Sequence, residues 1–200
     1  MLPGERAAML RREADVVLDL IGLYAILHPY ARVFPNGSYF LDVMVYPDID
    51  LYITKVSLDQ IFEIAAQLAS CDQVIQVVFS KTDDPVNLPD GLYLKPRVNY
   101  GDWGRPWKID IWSLAENVIS SKMTDMYRFQ ENMTPELRQQ IIQYKLSVMT
   151  SQKRTPMYSG YYIYKAFIDE GLTDFKDVTR YLISRGIQMD GKSSMHDMTA

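Results

Sequence analysis

The alternation over residues 48 to 53 (Asp48, Ile49, Asp50, Leu51, Tyr52, Ile53) constrains the fold more than any other stretch of this chain. On a β-strand, successive side chains point to opposite faces. Ile49, Leu51 and Ile53 are therefore expected to face a core, and Asp48 and Asp50 to share the other face. Two carboxylates two positions apart on one strand have Cα atoms about 6 to 7 Å apart. They repel each other, so the pair calls for something positive to compensate it. A divalent metal is the simplest candidate, and hard oxygen ligands suit Mg²⁺.

The same phase returns at Trp107, Lys108, Ile109, Asp110, Ile111 and Trp112. Ile109 and Ile111 share one face; Lys108, Asp110 and Trp112 share the other. A charged residue inside such an apolar run needs a reason. If the two strands lie close together, Asp110 joins Asp48 and Asp50 in one acidic cluster. Three carboxylates at the rim of a sheet are what a two-metal phosphoryl-transfer site requires.

Upstream, Asn36-Gly37-Ser38 reads as a turn. Glycine there permits a positive φ and close approach of the backbone to a ligand. Backbone N–H groups in such a turn can bind phosphate, especially where a helical turn follows. An ordinary Asn-Gly hairpin turn is the plainer reading of those residues alone.

Gly37-Ser38, nine intervening residues, the Asp48-Ile49-Asp50 pair, and Asp110 within Ile-Asp-Ile together resemble the signature of the DNA polymerase β-like nucleotidyltransferase superfamily, in particular its small, antibiotic-nucleotidyltransferase-like members. The resemblance covers roughly residues 30 to 115. It implies an α+β fold: a mixed β-sheet with flanking helices, followed by a C-terminal helical bundle. It also implies that Asp48 and Asp50 bind Mg²⁺, that Asp110 completes one metal site and helps deprotonate the acceptor, and that the Gly37-Ser38 turn contacts the triphosphate. The linker from Tyr39 to Pro47 carries no basic residue, where family members often place Gly, Arg or Ser.

The rest of the chain reads as alternating α and β, then helices alone. Leu10, Ala14, Val17, Leu20, Ile21, Tyr24 and Leu27 recur at helical spacing and predict a helix over 5–28, stopped by Pro29. His28 at its end reads as a residue favoured by the negative helix terminus. Ser57 reads as the N-cap of a helix containing Ile61, Ile64, Ala65 and Leu68. Residues 73 to 80 read as a buried strand, in one sheet with 49–54 through a crossover. Residues 82 to 90 read as a loop, and 91 to 113 as a hairpin. Lys95, Arg97, Arg105 and Lys108 make that hairpin basic, with Arg105 and Lys108 as candidate triphosphate contacts. Of Trp103, Trp107 and Trp112, at least two are expected in the core.

Further helices are expected over 114–130, from Thr134 (N-cap, with Pro135 next) to about 151, over 156–170, and from Thr173 to Ile183. Tyr158, Tyr161 and Tyr162 are candidates to line a substrate cleft, with packing between helices as the alternative for each. The organisation expected is an α/β domain over 1–114, a helical domain over 115–188, and a disordered tail over 189–200 that contains His196.

A net charge of −4 argues against general nucleic-acid binding and towards a small-molecule or protein acceptor. The lone cysteine, Cys71, the lack of a signal peptide and the lack of a membrane-length apolar run point to the cytoplasm. Aromatic residues of the C-terminal half would suit a homodimer contact. The function expected is Mg²⁺-dependent transfer of a nucleoside monophosphate from an NTP, such as ATP, to a hydroxyl. The alternative is a chain that keeps the fold without turnover and serves as a binding or regulatory module, as the unusual linker suggests.

Overall fold

The computed structural model describes residues 1–82 and 84–189; the expected tail, with His196, lies outside them except for Met189. Five strands form one mixed sheet in the order β1-β2-β5-β4-β3. They are β1 (Val33–Asn36), β2 (Asp48–Thr54), β3 (Val74–Lys81), β4 (Leu92–Val98) and β5 (Trp107–Leu114). β2 and β5 run parallel; every other neighbouring pair is antiparallel.

The chain path explains why β2 and β5 meet. After β2, helix α4 (Leu58–Ala69) carries the chain to the far edge of the sheet, where β3 forms. Two successive antiparallel pairings, β3 with β4 and β4 with β5, then walk back. β5 arrives beside β2 with Asp48 opposite Lys108 and Asp50 opposite Asp110. The expected hairpin is thus formed, and strands β2 and β3 share a sheet without being neighbours.

The alternation does what its period requires. Ile49, Leu51, Ile53, Ile109 and Ile111 are all buried on one face. That face packs on α1 (Pro3–Leu20), α2 (Leu23–Leu27) and α4, whose Leu10, Val17, Leu27, Ile61, Ile64 and Leu68 are buried with it. α4 begins where the sequence indicates: the Ser57 hydroxyl accepts from the Gln60 N–H, and the Gln60 side chain accepts from the Ser57 N–H. The expected single helix over 5–28 is two helices. Gly22 adopts a left-handed φ of 61° between α1 and α2, a conformation glycine takes at no steric cost.

A second apolar cluster joins the later helices α5 (Glu116–Glu131), α6 (Pro135–Ser147), α7 (Ser159–Ile168) and α8 (Phe175–Ser184). It takes in Leu41, Val43 and Val45 from the segment before β2, and Leu114 from β5. Thr134 caps α6 as expected, its hydroxyl accepting from the Leu137 N–H. α6 ends at Ser147, short of 151, and α7 starts at Ser159, after 156. The intervening segment is used instead as a docking edge: the Arg105 guanidinium donates to the carbonyls of Gln152 and Lys153, each at 3.4 Å. No helix among the described residues is long and apolar enough to cross a membrane.

Candidate active site

The sheet face opposite the first core carries the polar residues. β2 contributes Asp48 and Asp50, and β5 contributes Lys108, Asp110 and Trp112. Lys108 lies between two of the carboxylates: its Nζ is 3.1 Å from Asp48 Oδ1 and 2.7 Å from Asp110 Oδ2. Both ends of Asp110 are occupied, because the Tyr93 hydroxyl donates to Oδ1 at 2.6 Å. Tyr93 is in turn stacked on Trp112, with ring centroids 4.5 Å apart.

Asp48 and Asp50 are less well served. Asp48 Oδ1 is buried and accepts no well-formed hydrogen bond, although the Lys108 ammonium lies close by. No hydrogen bond or ion pair among the described residues reaches the Asp50 carboxylate. Burial raises the Asp50 pKa well above the usual carboxylate value, and Asp48 and Asp110 push it further. Burial raises Asp48 too, with Lys108 opposing. For Lys108 burial works against the charge, but the three carboxylates outweigh it and hold the ammonium firmly protonated.

Mg²⁺ can be judged against these residues directly. The donors are hard oxygens on two adjacent strands, one of them orphaned and one carboxylate unpartnered, which is the chemistry Mg²⁺ prefers. By donor chemistry, though not by a gathered geometry, the residues present fit the ion. Among the described residues no three Asp, Glu, His or Cys side chains close on a single point. The ammonium of Lys108 holds two of the carboxylates in the meantime.

The Asn36-Gly37-Ser38 turn borders the cluster. It is not a hairpin turn: Asn36 ends β1, and Gly37–Phe40 form a short helical turn, α3. Gly37 sits at φ 59°, and a Cβ there would collide with Oδ2 of Asp50. Gly37→Ala is expected to cost about 1 to 2 kcal/mol for the left-handed backbone alone and to push Asp50 aside. Thermal melting together with titration of ATP and Mg²⁺ checks this; an unaltered affinity would show that Asp50 tolerates the displacement.

Behind Ser38 lies a residue that sequence reasoning missed. Lys145, on α6, is 1% exposed. Its Nζ donates to Ser38 Oγ at 2.6 Å and to the Val43 carbonyl at 2.8 Å. Burial lowers its pKa to about 7, against the pull of Asp50 and Asp48. Ser38 Oγ also lies 2.8 Å from the hydroxyl of Tyr164 on α7. The signal for Lys145 was available: it stands four residues after Ile141, on a helical stripe that is otherwise apolar.

The remaining expectations divide. Arg105 is engaged with the Gln152 and Lys153 carbonyls and lies 5.6 Å from the Tyr46 ring. Tyr158 is 81% exposed, and Tyr161 donates to Asp125. The tyrosine that reaches the turn is Tyr164, three residues beyond Tyr161. Trp107 is fully buried, as expected for the core; Trp103 packs partly against it and donates to Glu13 at 2.6 Å.

No protein-family model matches the chain, and no curated protein sequence matches it. Solved structures do. The Cid1 poly(U) polymerase bound to MgGTP matches with a TM-score of 0.50 at 15% identity, covering 70% of this chain and 43% of that one. A Cid1 mutant bound to MgATP gives 0.51 at 15% identity, over the same shares of the two chains. The GLD-2 – GLD-3 poly(A) polymerase complex gives 0.45 at 16% identity, covering 69% and 44%. This chain thus spans less than half the length of these neighbours. The first two likenesses show a shared fold: an α+β arrangement in which a mixed sheet carries flanking helices, the fold class expected from the sequence.

Proposed function

We propose that this chain is a nucleotidyltransferase that moves a nucleoside monophosphate from an NTP, ATP in the first instance, to a hydroxyl of a small molecule or protein. The observation that supports the reading most is the parallel register of β2 and β5, with Asp50 opposite Asp110 beside the Gly37-Ser38 turn. Asp48, Asp50 and Asp110 would hold Mg²⁺, which when bound offsets the charge of the triphosphate and of the developing leaving group. Ser38 and the backbone of Gly37 contact the phosphates. Lys145 donates to Ser38 Oγ, and with Tyr164 acting as the donor in the bond those two hydroxyls share, the Ser38 hydroxyl hydrogen is left for a phosphate oxygen. Asp110 accepts the proton of the attacking hydroxyl once Lys108 has moved off Oδ2. The acceptor oxygen bonds to the α-phosphorus, the bond to the β-phosphate oxygen breaks, and pyrophosphate leaves.

Cid1 is named as a poly(U) polymerase. An RNA 3′-hydroxyl therefore belongs beside small molecules and proteins in any acceptor panel, although the net charge of −4 favours the latter two. The cytoplasm is the compartment we propose. The binding-module alternative draws on a different observation, the engagement of both Asp110 oxygens by Tyr93 and Lys108.

The test is pyrophosphate release from NTPs with Mg²⁺ across that panel, together with calorimetry of ATP·Mg²⁺ binding. Asp48→Ala is expected to weaken binding at least tenfold, about 1.4 kcal/mol or more. Binding without release against every acceptor would leave the module reading, and equal binding by wild type and Asp48→Ala would remove the site.

A further inference from the structure

The ammonium of Lys108 occupies the centre of the acidic cluster, bonded to Asp110 and paired with Asp48, and its side chain is 18% exposed. A charge so placed is a counter-ion for a pair of carboxylates that would otherwise repel. It is also in the way. While Lys108 donates to Asp110 Oδ2, a metal arriving there beside the ammonium would meet like charge at contact distance. Of the three, the Asp50 carboxylate alone has no hydrogen bond or ion pair among the described residues, so one carboxylate stands open while the ammonium sits against the other two.

We propose that Lys108 is a resident counter-ion that a divalent cation must displace before Asp48 and Asp110 can ligate it, so that the cluster resists metal until a triphosphate is present to receive the ammonium. The inference rests on the carboxylate cluster being the metal site. It assigns Lys108 two positions: between the acids when the site is empty of nucleotide, and on the phosphates when the site is filled. Three carboxylates without that lysine would bind cations on their own. With it, the metal alone meets a site already partly neutralised, and the nucleotide lowers the cost of exchange by offering the ammonium a new anion. Tyr93 keeps Asp110 aimed into the cluster in both states, since its hydroxyl holds the other oxygen.

The test uses Mn²⁺ alone, without nucleotide, and the full chain. Free Mn²⁺ is followed by electron paramagnetic resonance during titration of wild type, Asp50→Asn, Lys108→Met and the double variant Lys108→Met/Asp50→Asn. Lys108→Met is expected to bind Mn²⁺ at least tenfold more tightly than wild type, and the double variant to lose that gain. Equal binding by wild type and Lys108→Met, both sensitive to Asp50→Asn, overturns the counter-ion role and leaves the metal site standing. Tight binding that persists in the double variant overturns the metal site itself. Should Lys108→Met fail to fold, wild type alone decides. Acylation of Lys108 by a lysine-selective reagent, scored by peptide mass spectrometry, is expected to be unchanged by Mg²⁺ alone and to change when Mg²⁺ and ATP are added together; a change with Mg²⁺ alone, or none with both, overturns the proposal.

Discussion

Asp50→Asn is expected to lower nucleotidyl transfer about a thousandfold while making the protein more stable at neutral pH. The two effects have one cause. Asp50 lies among carboxylates without a hydrogen bond or ion pair among the described residues, and burial with its neighbours raises its pKa. A carboxylate whose folded pKa lies above its unfolded value contributes no cost at low pH, where both states are protonated. The cost appears as pH rises past about 4 and is complete above the folded pKa. At pH 7 the wild type bears it, at about 1.4 kcal/mol for every tenfold rise in the proton affinity of the folded carboxylate, and the isosteric amide bears none. For a chain of this length, 1 kcal/mol moves the melting temperature by about 2 to 4 °C. The variant should therefore melt higher than wild type at pH 7, with the gap closing towards pH 4. Mg²⁺ added together with ATP should narrow the gap from the other side, by stabilising the wild type more than the variant. Turnover falls because an amide cannot replace an anionic oxygen ligand, and a thousandfold is about 4 kcal/mol of transition-state stabilisation. Scanning calorimetry at several pH values is the measurement. A variant that melts lower than wild type at pH 7 would mean that Asp50 is compensated, and the case for a cation there would fail with it.

How much was legible in the sequence follows from which signals are periodic. The phase of Ile49, Leu51, Ile53, Ile109 and Ile111 was readable because a strand exposes its two faces strictly in turn. Their burial, and the return of β5 beside β2, put Asp50 opposite Asp110 as that phase suggested. Caps with a hydroxyl and a fixed offset, Ser57 and Thr134, were equally legible. What the sequence concealed depends on distant packing. Ser38, Lys145 and Tyr164 meet across more than 100 residues of chain, and no local pattern pairs them. Tyrosines 158, 161 and 162 drew attention by their density, yet Tyr158 stands exposed just before α7 and Tyr161 donates to Asp125. Lys108 was visible as a basic residue beside acids; that one ammonium contacts two of them required the parallel register. Gly22 hid a break inside an otherwise continuous apolar stripe, since a glycine in such a stripe reads equally as helix or as hinge.

Lys145→Met carries the other large expected effect, and it separates a placed charge from a merely buried one. Lys145 is buried without an ion-pair partner among the described residues, and two of its three N–H donors go to Ser38 Oγ and the Val43 carbonyl. Its folded pKa of about 7 lies below the unfolded value of a lysine. Between those values the unfolded chain holds a proton that the folded one has released, so stability rises with pH across that window. The wild type is expected to gain about 3 kcal/mol from pH 7 to pH 10 from this group. In Lys145→Met that gain vanishes, and subtracting the two profiles isolates it from other titrations. At pH 7 two effects oppose: the variant loses a buried charge that costs stability, but orphans the Val43 carbonyl at about 1 to 3 kcal/mol. The melting temperatures at pH 7 should consequently lie close together. ATP·Mg²⁺ binding should not: without the ammonium behind it, Ser38 loses a charge-assisted bond of about 1.5 to 3 kcal/mol, and affinity falls tenfold or more. A purely structural lysine would behave in the opposite way, costing stability at pH 7 and leaving the affinity of the folded protein intact. That second outcome would detach Lys145 from the phosphate turn and return it to the helical core.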